Sequence, residues 1–202
     1  MNISTEHPIG IILLAAGISS RLGEPKQLLR LTTGTSLVRH AAQLCIALDH
    51  GPVVVVTGAH SQQVESEVVD LPCTIVHNQL YQDGMGSSIA HGVQQLSDQL
   101  PRGYLIALVD QPYLTLSLLQ QLVHKSTMNS DDIIVSKYDV GQGPPCYFPR
   151  KYETQLMALS GDQGARSIIQ AHQEDVTFLS FPDGSKDVDV QADKIHLGKS
   201  NP

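Results

Sequence analysis

Two kinds of residue in this 202-residue sequence could handle a phosphate: cations set in a glycine-bearing loop, and carboxylates at the ends of apolar runs. The cations lie in Leu13-Leu14-Ala15-Ala16-Gly17-Ile18-Ser19-Ser20-Arg21-Leu22-Gly23-Glu24-Pro25-Lys26. Small residues at 15–17 let the backbone approach a ligand closely, and successive N–H groups in such a turn can cradle phosphate oxygens. Arg21 offers a planar fork and Lys26 a point charge, the positive charge that a triphosphate requires. Two better-known phosphate loops are excluded by spacing. There is no G-x-G-x-x-G, and Gly17 and Gly23 stand one residue too far apart for a Walker A loop, with no Lys-Ser/Thr after the second.

The sharpest carboxylate is Asp110 in Leu105-Ile106-Ala107-Leu108-Val109-Asp110-Gln111-Pro112. The apolar residues read as a buried strand, and a carboxylate at its end is costly unless it is paired or holds a metal. Mg²⁺ takes one or two protein carboxylates and fills its other positions with water and substrate phosphate, so Asp110 suits it. The alternative is that Asp110 caps a turn whose exit Pro112 fixes. Near the end, Asp187-Val188-Asp189-Val190 puts two carboxylates on one face of an extended segment, able to complete a metal site or to form a solvated acidic turn.

Three further stretches join these. Asn78-Gln79 and Asp83-Gly84-Met85-Gly86-Ser87-Ser88-Ile89 lead into a helix expected to start at Ser87 or Ser88, with serine as its N-cap and glycines that permit close approach. Gly141-Gln142-Gly143-Pro144-Pro145-Cys146-Tyr147-Phe148 reads as a rigid loop. Gly161-Asp162-Gln163-Gly164-Ala165-Arg166 places an arginine at the start of a helix. Ordinary turn chemistry accounts for these last two as well as ligand contact does.

The elements that must position these residues follow from period and punctuation. Apolar runs at 9–14, 53–57, 74–76, 105–109 and 133–135 predict buried strands, and 36–48, 61–69, 87–100 and 116–125 carry helical spacing. Further on, 151–159 and 164–171 predict helices, 176–180 a strand and 188–190 a short extended piece. Strand and helix alternate, which implies a Rossmann-like α/β fold with a mostly parallel sheet flanked by helices on both faces. In such a sheet ligands sit beyond the carboxyl ends of the strands, where the loop at 14–26 and Asp110 both fall.

Totals narrow the partners. The length predicts a single domain over 1–202 with an ordered core at 8–198. A formal charge of −7 argues against nucleic acid or an anionic membrane as the main partner. Cys45, Cys73 and Cys146 are odd in number and lack CxxC spacing, which favours a reducing compartment. With no basic leader and no apolar run of spanning length, the expectation is a cytoplasmic protein. Cys146 has no neighbour in sequence that would activate it, and the nine histidines show no metal-ligand pairing.

The ordered string A-A-G-x-S-x-R-L-G-x-P-K resembles the signature of nucleotidyltransferases, specifically the branch containing molybdenum cofactor cytidylyltransferases, with ordered matches from residue 14 to residue 189. The resemblance implies a triphosphate site on Leu14, Ala15, Ala16, Gly17, Arg21 and Lys26, and contacts to base and ribose from Gly84, Met85, Gly86, Ser87 and Ser88. It implies Asp110 as the principal ligand of Mg²⁺ (or Mn²⁺), with Arg21 and Lys26 beside it in catalysis. Gln111, Pro112, Gly143, Pro144 and Pro145 fall on the acceptor side. The family reads D-x-D-T-P near its end; here Val190 and Gln191 replace Thr-Pro, so Asp189 matches the second metal ligand while Asp187 stays open. Guanylyltransferase relatives carry two glycines where this chain has Ala16-Gly17, which favours CTP. The implied reaction moves CMP from CTP to the phosphate of molybdopterin carrying molybdenum, releasing pyrophosphate, with a molybdenum enzyme receiving the product. A phosphate monoester is largely ionised at neutral pH, its second pKa being about 6, so no general base is needed. Two other functions stay open: transfer to a sugar or polyol phosphate, and a non-catalytic accessory role in molybdenum-enzyme maturation.

Overall fold

The computed structural model describes residues 8–19 and 24–186. Seven strands form one sheet in the order β3-β2-β1-β4-β6-β5-β7. They are β1 (Ile9–Ala15), β2 (Val53–Thr57), β3 (Thr74–His77), β4 (Gly103–Leu108), β5 (Ile133–Lys137), β6 (Gln142–Pro149) and β7 (Val176–Ser180). The helices are α1 (Leu37–Ala47), α2 (Ser61–Ser66), α3 (Met85–Ser97), α4 (Leu116–Met128), α5 (Glu153–Met157) and α6 (Arg166–Ala171). Every pairing is parallel except those of β6, which runs antiparallel to both β4 and β5.

Side-chain alternation along the strands divides the interior into two cores. Ile9, Ile11 and Leu13 of β1, with Val53, Val55, Leu105 and Ala107, meet α1, α2 and α4 on one face. Ile12, Leu14, Val54, Val56 and Ile106 meet α3, α5 and α6 on the other. In α3 the inward residues Ile89, Val93 and Leu96 recur at helical spacing and are fully buried, each stabilising by about 1.5–3 kcal/mol. Gly92 brings that helix onto the sheet, since a Cβ there would stand 2.6 Å from Ile12 Cγ2.

The chain builds β1, β2 and β3 outward in one direction and then places β4 on the other side of β1. The carboxyl ends of β1 and β4 therefore adjoin at the point where strand order reverses, which is where an open α/β sheet leaves a crevice.

Three expectations are corrected. The run at 74–76, expected to be a buried strand, forms β3 at the edge of the sheet and is half-buried to exposed. The stretch at 141–148 is not a rigid loop but most of β6, a central strand. Its prolines fit there because the ladder is interrupted: Val135 pairs with Cys146 while Ser136 pairs with Gly143, so Pro144 and Pro145 fall in the bulge, where no ladder N–H is required. Helix α3 starts at Met85 with Gly84 as N-cap, two residues before the expected serines, and Ser87 and Ser88 lie inside it. Residues 188–190, expected to be extended, lie outside the described residues, as does the end of the expected core.

Candidate active site

The loop after β1 is held from behind by Gln27, which is 1% exposed. Its Nε2 donates to Gly17 O at 2.7 Å and to Ala15 O at 3.1 Å, and its Oε1 accepts from Ser19 Oγ at 3.3 Å. Ser19 Oγ in turn accepts from the Lys26 backbone N–H at 2.9 Å. Ala59 N–H donates to Ala16 O at 3.3 Å. Three successive carbonyls, 15 to 17, are thus bound to protein donors. Ser19 adopts a left-handed backbone with φ of 58°, a costly conformation for a non-glycine that its hydroxyl's two hydrogen bonds help to hold.

Across the crevice, Asp110 follows β4. Its Oδ2 accepts from Lys26 Nζ, and both side chains are mostly buried. Its Oδ1 is buried and has no hydrogen-bond partner among the described residues. A buried carboxylate oxygen left in that condition is costly, and a hard cation is one of the few species that relieves it. No group of three or more His, Cys, Asp or Glu side chains able to hold a metal occurs among the described residues. Asp110 fits a cation that takes one or two protein carboxylates and fills its remaining positions with phosphate and water.

The loop before α3 has its own buried brace, Asn78. Its Nδ2 donates to Ser87 Oγ at 2.9 Å and to Ser88 Oγ at 3.0 Å, and its Oδ1 accepts from Leu80 N–H at 2.9 Å. Ser88 Oγ, receiving that bond, keeps its own hydroxyl hydrogen for another acceptor. The flanking glycines serve a different neighbour from the one expected. A Cβ on Gly86 would lie 2.6 Å from Ser160 O, and a Cβ on Gly84 would strike Gly161 and Asp162. Gly86 N–H donates to Gly161 O at 2.9 Å. These glycines let the 160–162 turn sit on the start of α3.

Two cavities open here. The first, about 330 Å³, lies between the two loops and β4 and is lined by Leu14, Ala16, Gly17, Ile18, Ser19, Lys26, Gln27, Tyr81, Gln82, Gly84, Met85, Ser88 and Asp110, among others. The second, about 520 Å³, has apolar walls from Ile89, Ile106, Cys146, Ala165 and Ile169, and a polar rim from Gln142, Gln163, Arg166 and Gln170. Met85 and Asp162 border both, so the cavities share a wall.

Of the residues singled out from sequence, Leu14, Ala16, Gly17, Lys26, Gly84, Met85, Ser88 and Asp110 meet at the first cavity, and Gly143 and Pro144 at the second. Ala15, Gly86 and Ser87 line neither; Ala15 packs into the opposite core. Gln111, Pro112 and Pro145 also line neither of the two. Gln111 is buried, and its Nε2 donates to Pro144 O at 2.7 Å and lies 3.1 Å from both Gly184 O and Tyr138 Oη, so it ties the β4 end to β6 and to the chain beyond β7. Arg21, Asp187 and Asp189 lie outside the described residues. Tyr81, Gln82 and the brace Gln27 were not foreseen, whereas Asn78 and Asp162 fall in stretches singled out from sequence, without the bracing and lining roles seen here. Nothing in their spacing marks them, because their roles depend on which turns the fold brings together. Cys146 is packed as expected, and burial pushes its thiol up to about 12.

A profile of the MobA-like NTP transferase domain matches residues 11–176. Nicotine blue oxidoreductase of Paenarthrobacter nicotinovorans is 30% identical over 185 residues, covering 89% of this chain and 90% of its own. Purine catabolism protein PucB of Bacillus subtilis is 29% identical over 170 residues, covering 80% of each. Among solved structures, Rv0371c of Mycobacterium tuberculosis superposes with a TM-score of 0.82 at 23% identity, over 96% of this chain and 99% of its own. A manganese complex of Rv0371c gives a TM-score of 0.78 at 22% identity, over 96% and 100%. At those identities the likeness is one of fold.

Proposed function

The chain belongs to the MobA-like NTP transferase family, and we propose that it transfers CMP from CTP to the phosphate of a molybdopterin-type cofactor carrying molybdenum, with release of pyrophosphate, in the cytoplasm. The observation that carries this reading is the meeting of Lys26 and Asp110 at the first cavity, with one buried carboxylate oxygen of Asp110 left without a partner among the described residues.

In this reading the first cavity takes the nucleotide. The loop at 16–19 and Lys26, with Arg21, hold the β- and γ-phosphates, and the Ser88 hydroxyl offers a donor on the ribose and base side. Asp110, with Asp189 as its partner from the match in sequence, would hold Mg²⁺ or Mn²⁺, and such a cation would neutralise charge between the α-phosphate and the acceptor oxygen. The second cavity takes the acceptor: apolar walls suit a flat ring system, while amides and Arg166 on the rim suit its polar edge and phosphate. An acceptor phosphate oxygen attacks the α-phosphorus, the bond from that phosphorus to the bridging oxygen of the β-phosphate breaks, and pyrophosphate leaves with the electron pair. The residues contribute alignment and charge, so no proton has to be removed.

The choice of CTP rests on Ala16 standing where guanylyltransferase relatives have glycine. Purified protein, Mg²⁺, each of the four triphosphates and molybdenum-loaded molybdopterin are combined, and pyrophosphate is measured. Release with CTP above the other three is expected. Release only with a sugar or polyol phosphate would move the acceptor; nucleotide binding without turnover for any acceptor would favour the accessory role. One relative is named an oxidoreductase; electron exchange with an added redox dye in the same preparation, with no pyrophosphate formed, would move this chain to that class instead.

A further inference from the structure

We infer that Gln27 is a positioning residue that presets the phosphate-binding face of the loop after β1 before any ligand arrives; the inference rests on the nucleotide reading of the first cavity. A trans peptide is planar, and the N–H of one residue points opposite to the carbonyl of the residue before it. Gln27 Nε2 holds Gly17 O at 2.7 Å, and Ala59 N–H holds Ala16 O at 3.3 Å. Both carbonyls are turned toward protein, so the N–H groups of Ile18 and Gly17 are turned away from it, on the stretch that lines the cavity. The other end of the same carboxamide accepts from Ser19 Oγ, which receives the Lys26 backbone N–H. One buried side chain therefore sets the Ile18 donor of the loop and, through Ser19, the backbone of Lys26, while Ala59 sets the Gly17 donor.

Only a carboxamide meets this demand at position 27. It needs two donors for the carbonyls of Ala15 and Gly17 and one acceptor for a hydroxyl, all without charge in a place that is 1% exposed. Methionine matches its length and has neither donor. Glutamate matches its shape, keeps the acceptor and regains a single donor only when protonated.

In the full chain, affinity for CTP and for pyrophosphate with Mg²⁺ is measured by calorimetry for wild type, Gln27→Met and Gln27→Glu, beside thermal midpoints and the kinetics of pyrophosphate release. Gln27→Met is expected to weaken both ligands about tenfold or more, raising KM more than it lowers kcat. Gln27→Glu is expected to bind weakly at pH 9 and to recover as the pH falls to 5.5, taken as its ratio to wild type at each pH. A variant that merely loosened the fold would recover its thermal midpoint on acidification and would bind normally at every pH when measured well below that midpoint. Should Gln27→Met not fold, the pH ratio of Gln27→Glu decides alone. Wild-type affinity in Gln27→Met, or a weakened Gln27→Glu whose ratio stays flat with pH, overturns the inference and leaves the nucleotide reading standing. Wild-type protein that binds neither CTP nor pyrophosphate overturns both.

Discussion

Asp110 carries two oxygens in different circumstances, one bound by Lys26 and one buried without a partner among the described residues. Replacing the carboxylate with an amide keeps the shape and removes the charge that both Lys26 and a cation would use. Asp110→Asn is expected to lower pyrophosphate release by roughly 10²- to 10³-fold, with a thermal midpoint close to wild type. The glycines divide the same way. At Gly17 a Cβ would find only Gln27 Nε2, at 3.7 Å, so Gly17→Ala should leave stability unchanged, and on the proposed reading the added methyl in the phosphate loop should weaken CTP binding. At Gly86 a Cβ would meet the Ser160 backbone at 2.6–2.7 Å, so Gly86→Ala should cost about 1–3 kcal/mol in urea denaturation. Sequence offered both as glycines near a ligand; only the tertiary neighbours separate the one beside open space from the one that makes room for a turn.

At the scale of elements, the positions along the chain of β1, β2, β4 and β5 and the loops after β1 and β4 were legible because buried strands write themselves as continuous apolar runs bounded by Gly, Pro, Asp or Asn. Strand β6 was not. Its run carries Gly143, Pro144 and Pro145, which signal a turn, and only the bulge against β5 makes them compatible with a strand. The start of α3 was missed for a related reason: Gly84, rather than a serine, precedes the helix, and the serines were set deeper to face Asn78. Asn78 is the brace of this element. Asn78→Leu would leave Leu80 N–H and the Ser88 hydroxyl without this partner, while Ser87 Oγ keeps Leu80 O and Gly84 O, and should destabilise by about 1–3 kcal/mol per group left unsatisfied. Hydrogen exchange at 79–84 should rise well above the rest of the chain, and unchanged exchange there would contradict this role.

Over the whole molecule, two cores on opposite faces of one sheet hold the reactive groups of the interior out of reach. Burial pushes the thiols of Cys45 and Cys146 up to about 12, and Cys73, half-buried, is raised less far. A thiol reagent at pH 8 should therefore label Cys73 first, Cys146 slowly through the second cavity that it lines, and Cys45 only as fast as the fold opens. No helix among the described residues is long and apolar enough to cross a membrane. On the proposed reading, a net charge of −7 makes the local cations and a divalent ion decisive, since the protein as a whole would repel a triphosphate. The measurement that bears most directly on this is a crystal structure of the full chain with Mg²⁺ and a CTP analogue whose α,β-bridging oxygen is replaced by carbon. The account predicts the triphosphate in the first cavity, its β- and γ-phosphates against Gly17, Ile18 and Lys26, with Asp110 Oδ1 on the cation. A nucleotide bound elsewhere, with Lys26 and Asp110 still paired as they are now, would contradict it.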